Sequence, residues 1–165
     1  MVIRKATHDD VDAILEIYDW ARDFMRRTGN SGQWSDDYPR EEHIAADIAA
    51  GACYVCVVNE KIAGVFYFNV EEEPTYGEIE GAWLDDGPYG VVHRIARGPG
   101  HKGIGAFCLD WCFASHPNIR IDTHRDNAPM RALLENLGYT YCGVIYLQNG
   151  APRLAFQKSR EINFH

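Results

Sequence analysis

The chain is short of positive charge and has no long apolar run, and these two deficits narrow its function first. Lys and Arg number 16 against 24 Asp and Glu, for a formal charge of −8. A surface of that sign repels phosphate backbones, so no nucleic-acid partner is expected, while a cationic amine would be attracted. No apolar run approaches the roughly 20 residues that cross a bilayer. The opening MVIRKATHDD also lacks the apolar stretch of a signal peptide. No membrane partner is therefore expected, and the expected compartment is the cytoplasm. Cysteines are few and odd in number, five, which argues against a disulfide framework and leaves them as small buried side chains. Repeats, low-complexity tracts and internal linkers are missing, so residues 1–165 read as one domain.

What is present is a regular alternation of patterns. Val2–Ala6 reads as a strand. Thr7 and Asp10 then resemble a capping box before a helix over about residues 8–27, where Val11, Ile14, Leu15, Tyr18, Ala21 and Met25 recur at helical spacing. Thr28–Arg40 is a polar loop that carries two large aromatics, Trp34 and Tyr38. A second helix follows Pro39 and ends near Gly51. Cys53–Val58 and Ile62–Val70 read as a hairpin around Asn59-Glu60-Lys61, and Glu71–Pro88 as an acidic, broken segment. Strands are expected at Gly90–Ala96 and Ile119–Thr123, helices at Ile104–Ser115 and Asn127–Leu137. A closing hairpin, Tyr139–Leu147 with Arg153–Gln157, turns at Asn149-Gly150. The fold class is α+β: a mixed central sheet of about seven strands, flanked by about four helices, with one parallel crossover.

Between the strand ending at Ala96 and the helix from Ile104 lies RGPGHKG, a glycine turn feeding a helix N-terminus. Free N–H groups and the helix dipole favour a phosphate there, glycines let it approach, and Lys102 adds charge. A plain tight turn is the alternative. Two nucleotide chemistries fit. Gly98-Pro99-Gly100-His101-Lys102-Gly103 matches G-x-G-x-x-G, with Asp122 about 20 residues on, as in NAD-binding oxidoreductases. After Asp122, however, the chain offers one short helix and a hairpin, too few parallel strands for both halves of NAD.

The second chemistry rests on a resemblance. Val92-His93-Arg94-Ile95-Ala96, Lys102-Gly103-Ile104-Gly105, the run Asn118–Met130, LLENLGY (Leu133–Tyr139), the closing CGVIY…GAPRLAFQK and the opening IRKATHDDVDAILEIY together resemble the GNAT superfamily of N-acetyltransferases over nearly the whole chain. The resemblance implies the GNAT fold and an acyl-CoA-dependent N-acyltransferase. It would move acetyl from acetyl-CoA directly to a primary amine of a small molecule or peptide, with no metal. It also implies that Gly103 and Gly105 fill the two small positions of the CoA turn, where Gly100 replaces the usual Gln or Arg and Lys102 supplies charge. Backbone amides from Lys102 through Gly103, Ile104, Gly105 and Ala106 would hold the pyrophosphate. Ile95 and Arg97 would hydrogen-bond the pantetheine arm, Ile95 or Ala96 would donate to the oxyanion, and Asn127 would contact CoA. A non-catalytic acyl-CoA-binding module is the alternative, and association as a homodimer is open.

Amine attack on a thioester needs a base near neutral pH. The usual early-strand base position is Val91 and the usual tyrosine acid position is Leu134, neither of which can act. His93, two residues past Val91, is expected on the same face as Val91 and Ile95 and is the candidate base; a core histidine is the alternative. Asp122 and His124 are candidates for a base–orienter pair or, alternatively, anchors of the Arg125–Pro129 turn. Tyr139, and with it Tyr146, is the candidate acid. The acceptor entrance is expected to be lined by Trp34, Tyr38, Glu80 and Trp83, with the acidic segment attracting the amine.

Overall fold

The structure is a computed structural model and describes residues 1–160. Strand β1 (Val2–Lys5) leads through a one-turn 3-10 helix, His8–Asp10, into helix α1 (Val11–Arg27). The expected capping box forms: the Asp10 carboxylate accepts the Thr7 N–H at 2.8 Å and two Arg4 N–H groups at 2.7 and 2.9 Å. Val11, Ile14, Ile17, Tyr18 and Ala21 are the buried face of α1, the stripe that a 3.6-residue period sets. Then come α2 (Glu41–Ala49), β2 (Cys53–Val58), β3 (Lys61–Val70), β4 (Glu80–Gly81), β5 (Gly90–Arg97) and α3 (Ile104–Ser115). The chain closes with β6 (Asn118–Thr123), α4 (Ala128–Asn136), β7 (Thr140–Tyr146) and β8 (Pro152–Ser159).

The strands form one sheet in the order β1-β2-β3-β5-β6-β8-β7-β4. Among the described residues β5 and β6 are the parallel pair, bridged by α3. The eighth strand, β4, lies in the segment read as acidic loop. It pairs with β7 because two glycines meet: a Cβ on Gly81 would sit 2.1 Å from Cys142 O, and one on Gly143 2.1 Å from Glu80 O. Helices α3 and α4 cover one face over Phe66, Phe68, Val92, Ile119 and Ile121. Helices α1 and α2 cover the first half of the other over Val55, Val65 and Ala96. All five cysteines are free and buried in the core.

Two features of β5 open the molecule. Pairing with β6 is confined to Gly90–Ile119 and Val91–Arg120, so beyond Val91 the two strands diverge. On its other side, β5 pairs His93 with Tyr67 and then Ala96 with Val65, so Arg94 and Ile95 both oppose Phe66. This is a β-bulge, with Arg94 at φ 49°. A bulge bends a strand and raises its twist, which is the physical reason for the divergence. The Arg94 carbonyl is taken by the buried Tyr18 hydroxyl at 2.9 Å.

Candidate active site

The divergence of β5 from β6 leaves two cavities that share Met25, Ile95, Asn127 and Met130 in their walls. The smaller, about 240 Å³, is bounded by Trp20 and Phe24 of α1, Ile95–Arg97, Gly103–Ala106 and Leu133. Its walls are apolar apart from backbone, Thr28, Arg97 and Asn127, and no carboxylate lines it. Gly103 caps α3 at φ 79°, a left-handed conformation that Gly adopts without strain. The side chain of Arg97 lies over Trp20 and Phe24, 5.2 and 5.1 Å from their ring centres. Eight of the nine residues expected to hold CoA line this cavity: Ile95, Ala96, Arg97, Gly103, Ile104, Gly105, Ala106 and Asn127. Lys102 is exposed and outside the lining. Asn127 is largely committed elsewhere: its Oδ1 caps α4 by accepting the Met130 N–H at 3.1 Å, and its Nδ2 donates to Gln33 at 2.9 Å.

The larger cavity, about 760 Å³, is polar and lies on the α1–α2 face. The bulge sets its chemistry. It turns Arg94 onto the face of His93 and sends Ile95 to the α3–α4 side. The expectation that Val91, His93 and Ile95 share a face therefore fails at Ile95, because simple alternation ends where an extra residue enters the strand. Arg94 donates Nε–H and Nη2–H to the Asp47 carboxylate at 2.9 and 2.8 Å, and Nη1–H to the Tyr38 hydroxyl at 3.1 Å. Burial works against its charge, but Tyr38 and Asp47 outweigh that and hold it protonated. His93 Nε2 is 3.0 Å from Glu73 Oε1. That hydrogen bond, more than burial, keeps the Glu73 carboxyl below the ordinary carboxylate range.

Asp122 also lines the cavity and accepts the Tyr76 hydroxyl at 2.6 Å. Burial raises its pKa. It does not pair with His124, whose Nδ1 instead accepts the Asp126 N–H at 3.0 Å. His124 anchors the turn into α4 and stands against Gly32, where a Cβ would be 3.1 Å from Nε2. Asp122 and His124 thus do not pair: His124 bonds the turn into α4 and Asp122 bonds Tyr76, since β6 ends at Thr123 and the chain bends before His124 can continue the strand face. Tyr139 lies outside both cavities, in the α3–α4 core, where burial raises its pKa. Leu134 is fully buried in the same core. Tyr146 is exposed on β7.

Of the expected acceptor residues, Trp34 and Tyr38 line the cavity edge-to-face at 6.1 Å. Glu80 and Trp83 do not. Glu80 is exposed on the edge strand, and Trp83 donates its indole N–H to Tyr76 O at 2.9 Å and covers Arg120 at 4.4 Å. Within the acidic segment it is Glu71 and Glu73 that face the cavity, with Glu71 accepting the Tyr67 hydroxyl. Sequence reasoning missed Gln33, Asp47, Tyr67, Arg94 and Arg153. Gln33 Oε1 accepts from Asn30 at 2.8 Å and from Asn127, so it ties the first loop to α4. Among the described residues no trio of metal-ligating side chains gathers, and no helix is long and apolar enough to cross a membrane.

Residues 14–139 match the model of the acetyltransferase (GNAT) family. A GNAT-family acetyltransferase from Streptococcus agalactiae 2603 is similar at 34% identity over 96% of this chain and 95% of that one, with a TM-score of 0.88. One from Bacillus cereus ATCC 10987 is similar at 21% identity over 96% of each chain, with a TM-score of 0.62, a likeness of fold alone. Among curated proteins nothing matches.

Proposed function

The chain belongs to the GNAT family and is an acetyltransferase, and from that premise we propose that it passes acetyl directly from acetyl-CoA to a primary amine at the junction of the two cavities. The observation that carries this reading is the junction itself. A phosphate-compatible, carboxylate-free cleft at a helix N-terminus meets a polar chamber holding His93, and Ile95, Met130 and Asn127 stand between them. In this reading the free amides at the start of α3 take the pyrophosphate. The unpaired edge of β5 beyond Val91 takes the pantetheine amides as a strand would.

The acceptor enters the larger cavity between Trp34, Tyr38 and Tyr67, and Glu71 and Glu73 draw its ammonium inward. With Nε2–H given to Glu73, His93 Nδ1 is left to accept a proton from the amine. The neutral nitrogen attacks the thioester carbonyl, a C–N bond forms, and the surplus proton on the now cationic nitrogen passes to water. A backbone N–H of Ile95 or Ala96 stabilises the oxyanion. The C–S bond then breaks, and the thiolate leaves without an acid, because an ordinary thiol pKa near roughly 8.5 makes it a tolerable leaving group. Work in the cytoplasm, where acetyl-CoA is made and used, suits this reading. The test is thiol release from acetyl-CoA over a panel of amines. Release with none of them, alongside stoichiometric CoA binding, would favour the second reading, a non-catalytic acyl-CoA-binding module, which the burial of Leu134 and Tyr139 supports. A thermal shift with NAD and none with CoA would overturn both.

A further inference from the structure

One cation lining the larger cavity has neither a part in the acetyl transfer nor an ion-pair partner among the described residues. Arg153, on β8, is 8% exposed and lines the chamber. Its Nη1–H donates to Pro152 O at 2.9 Å and its Nη2–H to Gln33 O at 3.2 Å, both neutral carbonyls. Among the described residues no carboxylate is in ion-pair contact with it. Asp122 is the carboxylate whose field it feels, but that group takes its hydrogen bond from Tyr76. Burial accordingly lowers the pKa of Arg153. The contrast with Arg94 is direct: that guanidinium, in the same chamber, is neutralised side-on by Asp47. A buried cation without a counter-ion is costly unless something completes it, and a guanidinium left with free donors on a cavity wall fits a planar carboxylate.

The placement also suits a single ligand. Ala155, two residues along β8, packs with Val91 and Tyr76, so Arg153 projects from the sheet face that carries His93. Strand β6 lies between β5 and β8, which sets the two backbones at least about 10 Å apart. Both side chains reach into that interval. Glu71, Glu73 and His93 make one end of the chamber attractive to an ammonium group, and Arg153 makes the other attractive to an anion.

We propose that the acceptor is an amino acid: an amine that also carries a carboxylate, which Arg153 binds while the amine faces His93. This rests on the acetyltransferase reading above and narrows it, because a peptide N-terminus or a polyamine offers no carboxylate at that spacing.

The test uses matched pairs with acetyl-CoA and the full chain: phenylalanine with phenethylamine, methionine with 3-(methylthio)propylamine, lysine with cadaverine. The amino acid of the productive pair should be preferred in kcat/KM by on the order of 100-fold, the usual scale for a buried charge-assisted contact. Arg153→Gln should collapse that ratio towards one, and Arg153→Lys should restore part of it. A merely structural role for Arg153 would instead lower both members alike and keep the ratio, which overturns the proposal. Equal or better use of the decarboxylated amines by the wild type overturns it too, while the thiol they release leaves the acetyltransferase reading standing. If no member of any pair releases thiol, that reading is the one in trouble, and the inference is decided by calorimetry of the same compounds on CoA-saturated protein. Carboxylate-dependent binding that weakens in Arg153→Gln supports it; absence of binding ends it. Should Arg153→Gln not fold, Arg153→Lys and the amino-acid methyl esters on wild type carry the same comparison.

Discussion

The two cavities are built in opposite ways. The smaller one is built around two short runs of one segment, Ile95–Arg97 and Gly103–Ala106, whose backbone and glycines do the work, with side chains from α1 and α4 among its walls. The larger one takes its titratable groups from five separate places: Asp47, Glu71 with Glu73, His93 with Arg94, Asp122, and Arg153. Each of those groups except Arg153 has a side-chain partner within hydrogen-bond reach. A site made of backbone tolerates variation in side chains but not in dihedrals or Cβ atoms. A site made of paired charges tolerates neither the loss of a partner nor a change of pH. The experiments that sharpen this contrast should therefore separate ligand affinity at one cavity from stability and turnover at the other.

The largest effect is expected on the backbone side. Gly103→Val and Gly105→Val should lower CoA affinity by on the order of 100-fold or more, measured by calorimetry, in proteins that remain folded. The two fail differently. At Gly103 there is open space, so the penalty is the positive φ; at Gly105 a Cβ would lie 2.9 Å from the Leu133 side chain and crowd the cleft. Undiminished CoA affinity in either folded variant would make the turn structural only.

On the charged side, Asp47→Ala strands the Arg94 guanidinium in a wall where its side chain is only 18% exposed. The expected cost is about 3 kcal/mol in denaturant unfolding, with little change in CoA affinity. A loss below about 1 kcal/mol would show that water reaches Arg94 freely.

His93→Ala should lower turnover about 100-fold at saturating CoA, and Glu73→Gln by less, because Glu73 only orients the ring. Full activity in His93→Ala would dismiss the base assignment. The same variant carries a pH signature. Glu73 is depressed by its bond to His93, so its stabilisation is present above the ordinary carboxylate pKa and is lost as pH falls through the lower folded value. Without His93 that term shrinks, and the stability difference between wild type and variant should narrow below about pH 4.

The smallest effect has the reverse sign. Asp122 is raised by burial, so its ionised form disfavours folding. That cost is absent at acid pH and grows as pH rises from the unfolded pKa towards the folded one. Asp122→Asn should then raise Tm by about 2–4 °C at neutral pH, with no gain near pH 3. A fall in Tm at neutral pH would mean that the Tyr76 hydrogen bond, with the field of Arg153, outweighs burial at this carboxylate.

Much of the scaffold was legible in the residues. Alternation, the Thr7–Asp10 cap, the Asn149-Gly150 turn and the glycine turn into α3 each depend on neighbours a few positions apart, and helix and strand bounds fell within a few residues of expectation. Strand β4 was missed because it is two residues long and exists only where Gly81 meets Gly143. Glu80 and Trp83 were misplaced for a related reason. Composition marks the segment as acidic and aromatic, but the Arg120 side chain, 4.4 and 4.1 Å from the rings of Trp83 and Tyr89, decides which of its side chains turn inward.

Sequence by itself determined the fold class and the glycine turn at the start of α3, because these rest on local periodicity and on glycines whose dihedrals are fixed within one turn; the acetyltransferase family was legible only as a resemblance of its motifs. Only the tertiary structure decided that Arg94, not Ile95, shares a face with His93, that Glu73 is the partner of His93, that His124 serves a turn, and that Arg153 stands in the chamber without a counter-ion. The physical reason is that a single extra residue in β5 reverses every later side chain, and that charges distant in sequence find their partners only after the sheet has assembled.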